Sequence, residues 1–406
     1  MTALVFNCHY NGLSIIQELG RRGVDVLALD CVRSVGTYSR YAHYYQCPDP
    51  QVAESEFIKF LMQLGPQFRQ KPVLFPTNDH WAVAVSRHKE ILSQYYFPCV
   101  ADYSAVQLVI EKQRFHDWAL ANGYPAPRSW QSDVAREIPD ESFPLAAKPE
   151  YRRIASNDRE TGDRSRVFDQ MRLTVLKNRE ELKAFEQRHR NLLPYFLFQE
   201  YVPGLSDSMF TVGIYADRQH KVKGMFTGRK VRGFPPDIGD CIVGQVEEMP
   251  GEIKELVKSM CKEIGYHGIA EFEFKRDTIS GQYKIIEINP RSWSWIGITP
   301  ACGVSLPWIA YADLTSIENV SYVESAVPMG SVKYVKILED MKNCLYGYRR
   351  LGFHGWNMTP LQWWKSLRAK KIVCAEFAKD DVLIGIRASY YFLKSIAAAL
   401  IRRGSA

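Results

Sequence analysis

The feature that most constrains this chain is a pair of neighbouring segments in which apolar and charged residues alternate. Residues 268–291 read GIAEFEFKRDTISGQYKIIEINPR, which predicts a strand, a polar turn and a returning strand. Alternation places Glu271 and Glu273 on one face of the first strand, and Glu287 and Asn289 on one face of the second. Two adjacent strands are therefore expected to offer carboxylate and amide oxygens to a common surface.

Oxygen ligands of this kind are those that Mg²⁺ requires, and nucleotide phosphates can supply the remaining ligands. Pro290 ends the second strand and Arg291 follows it, where a guanidinium can face the same phosphates. The competing interpretation is a surface hairpin with solvated charges, because alternation is common in ordinary strands. An Asn followed by an Arg at a strand end is less readily explained by solvation, so the pattern favours a metal and phosphate site.

A second segment, FLFQEYVPG at residues 196–204, is an apolar strand that runs into Gln-Glu and then Pro-Gly. This pattern is typical of a hinge between two lobes. Such a hinge can present a backbone N–H and C=O to a purine, with Glu200 accepting from an exocyclic amine and Asp207 from ribose hydroxyls. Strand-to-turn transitions containing Pro-Gly are common, so the segment alone does not specify a nucleotide.

Two lysines are candidates for phosphate contacts. Lys148 ends the apolar run FPLAAKP, and Lys112 begins a helical region upstream of it. A lysine at the end of a strand can serve as a phosphate ligand. The alternative for both is an ordinary surface lysine.

The N-terminal residues predict a small α/β domain over 1–105. Residues 3–7 and 24–30 are apolar runs separated by Gly12 and an apolar-periodic helix, and this βαβ order favours a parallel sheet. The fingerprint G-x-G-x-x-G is missing, so a dinucleotide-binding domain is not indicated. The alternative that a ligand pocket lies at the ends of these strands is kept.

Charge and composition set the C-terminal segment apart. The chain carries a net charge of +7, yet residues 331–406 hold fourteen Lys and Arg against five Asp and Glu. This segment is also rich in Trp and Tyr. Three interpretations compete: helices packed on the body, an interfacial membrane helix, or a nucleic-acid patch. No nucleic-acid module is recognisable, so we expect no nucleic-acid partner.

The cysteine pattern and the apolar runs indicate the cellular compartment in which the protein is expected. Nine cysteines stand singly without a CxxC pair, which fits reduced thiols in the cytoplasm. The sequence contains no secretory signal pattern and no uninterrupted apolar run of about 18 residues. We therefore expect a cytoplasmic protein, with peripheral contact at the inner face of the membrane as the alternative.

Taken in chain order, these segments resemble the ATP-grasp superfamily. Residues 111–127 resemble the opening of its central domain, and residues 227–232 resemble its carboxylate–amine ligases, with D-aspartate ligase among the wider relatives. Glu273 and Glu287 are 14 residues apart, and Glu287 begins an E-x-N triplet that ends at Asn289, as in the metal site of that family. The segment 151–166 departs from the pattern, since it has one glycine and five arginines where a glycine-rich phosphate loop is usual.

The resemblance implies an α/β fold, with α+β character in the central lobes. It predicts an N-terminal parallel α/β pre-ATP-grasp domain at 1–105 and a two-lobed ATP-grasp domain at 106–318. The small lobe is expected at about 130–200 and the large lobe at about 201–318. A basic, Trp-rich helical extension is predicted at 319–406.

The resemblance also implies an ATP-dependent ligase that activates a carboxylate as an acyl phosphate and transfers it to an amine. The expected cofactors are ATP and Mg²⁺, with Mn²⁺ as an alternative metal, and the carboxylate is a small molecule or is linked to a glycan. The implied residues are, for catalysis, Lys148, Arg229 and Arg291; for the nucleotide, Lys112, Lys148, Gln199, Glu200, Tyr201, Val202 and Asp207; and for the metal, Glu273, Glu287 and Asn289.

Other parts of the site are less determined. Arg229, with Lys230 and Arg232, could bind an anionic substrate or the acyl phosphate, or could form a solvated basic loop. Specificity is expected in this loop and in the loops near residues 7–12 and 78–79. Two functional alternatives remain: an ATP-grasp enzyme with a non-amine acceptor, and a non-catalytic nucleotide-binding scaffold whose tail recruits a membrane or a partner.

Overall fold

The computed structural model describes residues 1–149, 173–236 and 239–404. The arginine-rich segment 151–166 lies outside these described residues. Within them, three β-sheets organise the chain.

The N-terminal sheet is parallel and has the strand order β3-β2-β1-β4-β5. Its strands are β1 (Thr2–Phe6), β2 (Asp25–Asp30), β3 (Ala42–Gln46), β4 (Val73–Phe75) and β5 (Phe97–Pro98). The helices of this part are α1 (Tyr10–Arg21), α2 (Glu54–Leu64), α3 (Asp79–Arg87), α4 (Lys89–Leu92) and α5 (Tyr103–Ile110). Strand β1 pairs in parallel with both β2 and β4, so the predicted parallel sheet is confirmed. The apolar runs that predicted these strands are buried, because the helices cover them.

The second sheet is antiparallel and smaller, with the order β6-β9-β7-β8. Its strands are β6 (Ser129–Gln131), β7 (Leu145–Pro149), β8 (Thr174–Leu176) and β9 (Phe196–Glu200), and the helices beside it are α6 (Lys112–Ala121) and α7 (Arg179–Arg188). Phe185 of α7 packs edge-on against Phe196 of β9, with ring centroids 5.0 Å apart. This contact fixes α7 on one face of the sheet.

The third sheet is the largest, with the order β14-β13-β10-β11-β12-β16-β17 and with β15 beside β11. Its strands are β10 (Met209–Ala216), β11 (Val222–Phe234), β12 (Asp240–Val246), β13 (Gly268–Arg276), β14 (Tyr283–Asn289), β15 (Val323–Glu324), β16 (Val332–Val335) and β17 (Lys371–Cys374). Helices α8 (Gly251–Ile264) and α9 (Leu306–Thr315) belong to the same part of the chain. The hairpin predicted from alternation is the pair β13–β14.

The C-terminal segment ends in a helix but also contributes strands to the large sheet. Strand β16 pairs with β12, and β17 pairs with β16, so the segment is built into the body. Its helices are α10 (Ile337–Lys342), α11 (Tyr348–Arg350), α12 (Pro360–Ser366) and α13 (Val382–Gly404). The basic and aromatic composition did not indicate these strands. Among the described residues, no helix has the length and apolarity needed to cross a membrane.

A buried ion pair joins the C-terminal segment to β11. The Arg232 guanidinium donates from Nε and a terminal nitrogen to the two carboxylate oxygens of Asp340, both at 2.7 Å. The indole N–H of Trp363 donates to the same carboxylate at 2.7 Å. Both charged side chains are almost fully buried, at 3% and 0% exposure. This bidentate contact therefore fixes α10 and α12 against the sheet.

Replacing Arg232 with Met is expected to lower the free energy of unfolding by about 3–5 kcal/mol, because it leaves the Asp340 carboxylate buried without a counter-charge. Urea unfolding followed by circular dichroism measures the loss. The double variant Arg232→Met, Asp340→Leu should recover much of it, since no uncompensated charge remains. Equal losses in the single and double variants would contradict this interpretation.

Candidate active site

A polar cleft between the small antiparallel sheet and the large sheet is the candidate site. It contains two adjoining compartments, of about 250 Å³ and about 490 Å³. Four side chains line both: Lys230, Asp240, Glu273 and Glu287. The cross-strand carboxylates predicted from the sequence thus lie where the two compartments meet.

The first compartment gathers most of the residues predicted to contact a nucleotide. Its walls include Lys112, Lys148, Gln199, Glu200, Tyr201 and Val202. Strands β7 and β9 pair so that Ala146 lies opposite Gln199, and Lys148 emerges at the end of β7. The pairing of these strands explains why residues about fifty positions apart in sequence reach one cavity.

Lys148 is held in an environment that disfavours its charge. Its ammonium donates a hydrogen bond to the Gln199 side-chain oxygen. Burial, and then the nearby Lys112 ammonium, lower the pKa of Lys148 to about 7, although Glu287 acts in the opposite direction. An anion bound in this compartment would stabilise the charged form of Lys148.

The hinge segment is tied down by its neighbours. The Glu200 carboxylate accepts from the backbone N–H of Arg128 at 2.9 Å and from its guanidinium at 2.6 Å. The backbone N–H of Tyr201 donates to the Pro144 carbonyl at 3.0 Å. A purine contact to the backbone of this segment would therefore use a group other than that N–H.

The hairpin β13–β14 brings the predicted metal ligands together. Glu273 lies opposite Glu287, and Glu271 lies opposite Asn289. The Asn289 amide nitrogen donates to Glu271 at 3.1 Å and to Glu273 at 3.3 Å. Burial, and then the Glu273 carboxylate, raise the pKa of Glu271 to about 8.

Lysines balance the charge of these carboxylates. Lys230 contacts Glu273 at 3.0 Å, and Lys112 contacts Glu287 at 2.7 Å. Burial acts to lower the pKa of Lys230, but the carboxylates of Glu273 and Glu271 raise it overall. Lys230 is therefore a permanent cation at the junction of the compartments.

The donor set suits a hard divalent cation that shares its ligands with a second molecule. Within the described part of the chain, no three His, Cys, Asp or Glu side chains are grouped closely enough to hold a metal ion. Glu273, Glu287 and Asn289 instead offer two carboxylates and one amide. This set fits Mg²⁺ if phosphate oxygens complete the coordination, as is usual for this ion.

Arg291 connects the hairpin to the N-terminal sheet. Its Nε donates to Asp79, the first residue of α3, at 3.0 Å. A terminal nitrogen donates to the Asn289 amide oxygen at 3.3 Å. Arg291 and Asn289 both line the second compartment. Through the contact between Arg291 and Asp79, the N-terminal part of the chain helps to shape the site.

The structure places two of the predicted site residues beside the cleft rather than in its lining. Neither Arg229 nor Asp207 is among the described residues that line the two compartments. Arg229 instead pairs with Glu247 at 3.0 Å and donates to the Asp207 carbonyl at 3.1 Å. The cause is strand alternation: β11 turns Lys230 into the cleft, so Arg229 faces away from it. Asp207 is exposed in a short turn whose neighbour Ser206 lines the cavity.

The second compartment contains residues that the sequence did not single out. Lys336 and Glu339 reach it from the C-terminal segment, and Tyr10 from the start of α1. The Lys336 side chain is buried, and its ammonium lies 5.6 Å from the Tyr10 ring centroid. Lys336 directly follows β16. Because the sequence did not predict this strand, it did not predict the position of Lys336 either. Asn7, Asn11 and Asn78, from loops where specificity was expected, also line this compartment.

Comparison with known proteins finds a relative that is a ligase. No family model matches the chain. It is 27% identical over 241 residues to D-aspartate ligase of Enterococcus faecium (strain Aus0004), a match that covers 55% of this chain and 53% of the relative. The chain thus spans about half the length of the curated relative it matches.

The fold is similar to that of two solved enzymes. N5-carboxyaminoimidazole synthetase from Staphylococcus aureus matches with a TM-score of 0.60 and 16% identity, covering 86% of each chain. The biotin carboxylase domain of Hydrogenobacter thermophilus 2-oxoglutarate carboxylase, in complex with MgADP, ADP and bicarbonate, matches with a TM-score of 0.58 and 14% identity. That match covers 82% of this chain and 73% of the domain. At this identity the likeness concerns the fold alone.

Proposed function

We propose that this chain is an ATP-dependent carboxylate–amine ligase of the ATP-grasp superfamily, a proposal supported by its fold, which is similar to that of N5-carboxyaminoimidazole synthetase and of a biotin carboxylase domain. The observation that carries the proposal is the meeting of Lys148, Lys112 and the carboxylates of β13–β14 in one cleft, beside a second polar compartment. The likeness to D-aspartate ligase supports carbon–nitrogen bond formation.

We assign the nucleotide to the first compartment, with Lys148 and Lys112 on its phosphates. Glu273, Glu287 and Asn289 would hold Mg²⁺, which supplies charge neutralisation to the phosphates when bound. Lys230 takes the role first expected of Arg229, because it is the β11 cation that faces the cleft. Arg291 is assigned to the reacting side of the second compartment.

In the proposed reaction, a carboxylate oxygen of the substrate attacks the γ-phosphorus of ATP. The bond from that phosphorus to the bridging oxygen breaks, and ADP leaves with the electron pair. The amine then attacks the acyl carbon of the resulting acyl phosphate, inorganic phosphate leaves, and the amine loses a proton. Lys148, Lys230 and Arg291 stabilise the negative charge that these steps place on oxygen.

The second compartment is assigned to the carboxylate substrate. Among the described residues, the Lys336 ammonium makes no hydrogen bond or ion pair, although its side chain is only 6% exposed. A buried cation without a counter-ion is a site for an anionic group. Glu339 on the same wall is suited to an ammonium group, which would make an amino acid an acceptable occupant.

The test is to incubate the protein with MgATP, pooled D- and L-amino acids and small carboxylic acids, and to separate ADP from AMP. Substrate-dependent ADP and phosphate, together with hydroxamate formation when hydroxylamine is added, would support acyl-phosphate ligation. AMP and pyrophosphate would overturn it in favour of adenylation. Hydroxamate without any amide product would favour the non-amine acceptor, and nucleotide binding without turnover of any pool would favour a scaffold.

The state of the cysteines supports the further proposal that the protein is cytoplasmic. All nine cysteines are free thiols, most of them buried, as expected for a protein of a reducing compartment.

A further inference from the structure

Helix α13 carries an apolar face that the other described residues of the chain do not cover. Leu383, Ile386, Tyr390 and Leu393 follow one another at intervals of three or four residues, so they share one side of the helix. Their exposed fractions are 46%, 61%, 55% and 64%. Large apolar side chains in one contiguous, solvent-facing stripe mark an interaction surface rather than random exposure.

The opposite side of α13 fixes the helix to the body. Ile384 and Ala388 are buried, at 0% and 6% exposure. The Arg387 guanidinium lies 4.4 Å from the ring centroid of Tyr38, in the short turn that follows β2. Gly385 packs so closely on Phe377 that an added Cβ would come within 2.7 Å of that ring. The helix is therefore held in place with its apolar stripe pointing outward.

The charges of α13 indicate which partner fits this stripe. Residues 382–404 contain four basic residues, namely Arg387, Lys394, Arg402 and Arg403, and no acidic residue. An apolar stripe on a helix whose sequence is basic and lacks acidic residues is complementary to a surface that is apolar within and negatively charged outside. An anionic lipid bilayer has both properties.

A second copy of the chain is a poorer partner. If two α13 helices packed on each other through this stripe, each would bring basic residues and no acidic residue from positions 382–404 to the contact. Like charges facing each other oppose such a contact. We therefore propose that α13 docks the protein on the surface of an anionic membrane, lying in the plane of the interface with its stripe among the acyl chains.

The proposal is tested by flotation of the full chain with lipid vesicles. One set contains phosphatidylcholine alone, and the other contains equal parts of phosphatidylcholine and phosphatidylglycerol. We expect flotation with the anionic vesicles, weakening as salt is raised. Ile386→Glu, Leu393→Glu should weaken that binding roughly tenfold or more, because two charges enter the apolar stripe.

The matched control is Val52→Glu, Ile279→Glu, which adds the same charge at two exposed apolar positions outside α13, at 79% and 85% exposure. This control should float as the unaltered chain does, and circular dichroism melts should show that both variants fold. No flotation of the unaltered chain with anionic vesicles would overturn the proposal, as would equal loss in both variants. A dimer that light scattering detects and that Ile386→Glu, Leu393→Glu dissociates would assign the stripe to a second copy instead.

Discussion

Replacing Glu287 with Gln is expected to reduce ADP release by about 10²- to 10³-fold while leaving the fold intact, the size of effect seen when one preorganised electrostatic contact is removed from a reacting centre. Glu287 lies opposite Glu273 across the hairpin and contacts Lys112 at 2.7 Å. The neutral amide keeps the shape of the side chain but halves the carboxylate set available to Mg²⁺. ADP release is measured with the amino acid and carboxylic acid pools.

A second readout makes this prediction independent of the unknown substrate. In the unaltered chain, MgADP should raise the melting temperature more than ADP with a chelator does, because the metal adds contacts to the bound state. Glu287→Gln should remove that difference. The matched control is Glu324→Gln, whose carboxylate contacts Lys254 at 2.6 Å outside the cleft. Normal ADP release and a normal metal-dependent shift in Glu287→Gln would contradict the metal assignment.

The local periodicity of the sequence was sufficient to predict the hairpin and its shared face. Alternation over residues 268–291 fixes which side chains point together, and the short turn leaves one antiparallel partner available. Likewise, apolar runs separated by a helix predicted the parallel sheet. In both cases the contacts are near in sequence or follow from strand order, so pattern alone carries the information.

Contacts between segments that are far apart in the chain could not be predicted from the sequence patterns. The basic cluster of residues 229–232 was taken as a unit, but its three cations point to different places. Lys230 faces Glu273, Arg229 pairs with Glu247, and Arg232 is buried on Asp340. The side of β11 that faces the cleft depends on its pairing with β10 and β12, which a single segment does not reveal.

The C-terminal segment shows the same limit. Its basic and aromatic composition suggested helices, yet β16 and β17 extend the large sheet and place Lys336 in the second compartment. A strand of only four residues, as β16 and β17 both are, carries too little periodicity to be recognised. The part of the site that we assign to the substrate therefore emerges from tertiary pairing, whereas the nucleotide part could be anticipated from motifs.

Nucleotide binding is expected to draw a proton onto Lys148. In the described structure its pKa is lowered to about 7 by burial and by Lys112. Phosphates beside the ammonium favour the charged form, so binding raises this pKa. At about pH 8 the lysine is mostly neutral before binding and charged afterwards, which predicts uptake of up to about one proton. At about pH 6 the lysine is already charged, so uptake through Lys148 should vanish.

Calorimetric titration with MgADP in buffers of different ionisation enthalpy measures this uptake as the slope of the observed enthalpy. Lys148→Met should weaken MgADP binding by roughly ten- to a hundredfold, the cost of one hydrogen bond to a charged group, and should remove the uptake at pH 8. Comparing the two proteins cancels proton release from Glu271, whose pKa of about 8 lies in the same range. Lys254→Met, outside the cleft, is the matched control and should keep both values. If Lys148→Met takes up as many protons as the unaltered chain, the phosphates do not contact Lys148.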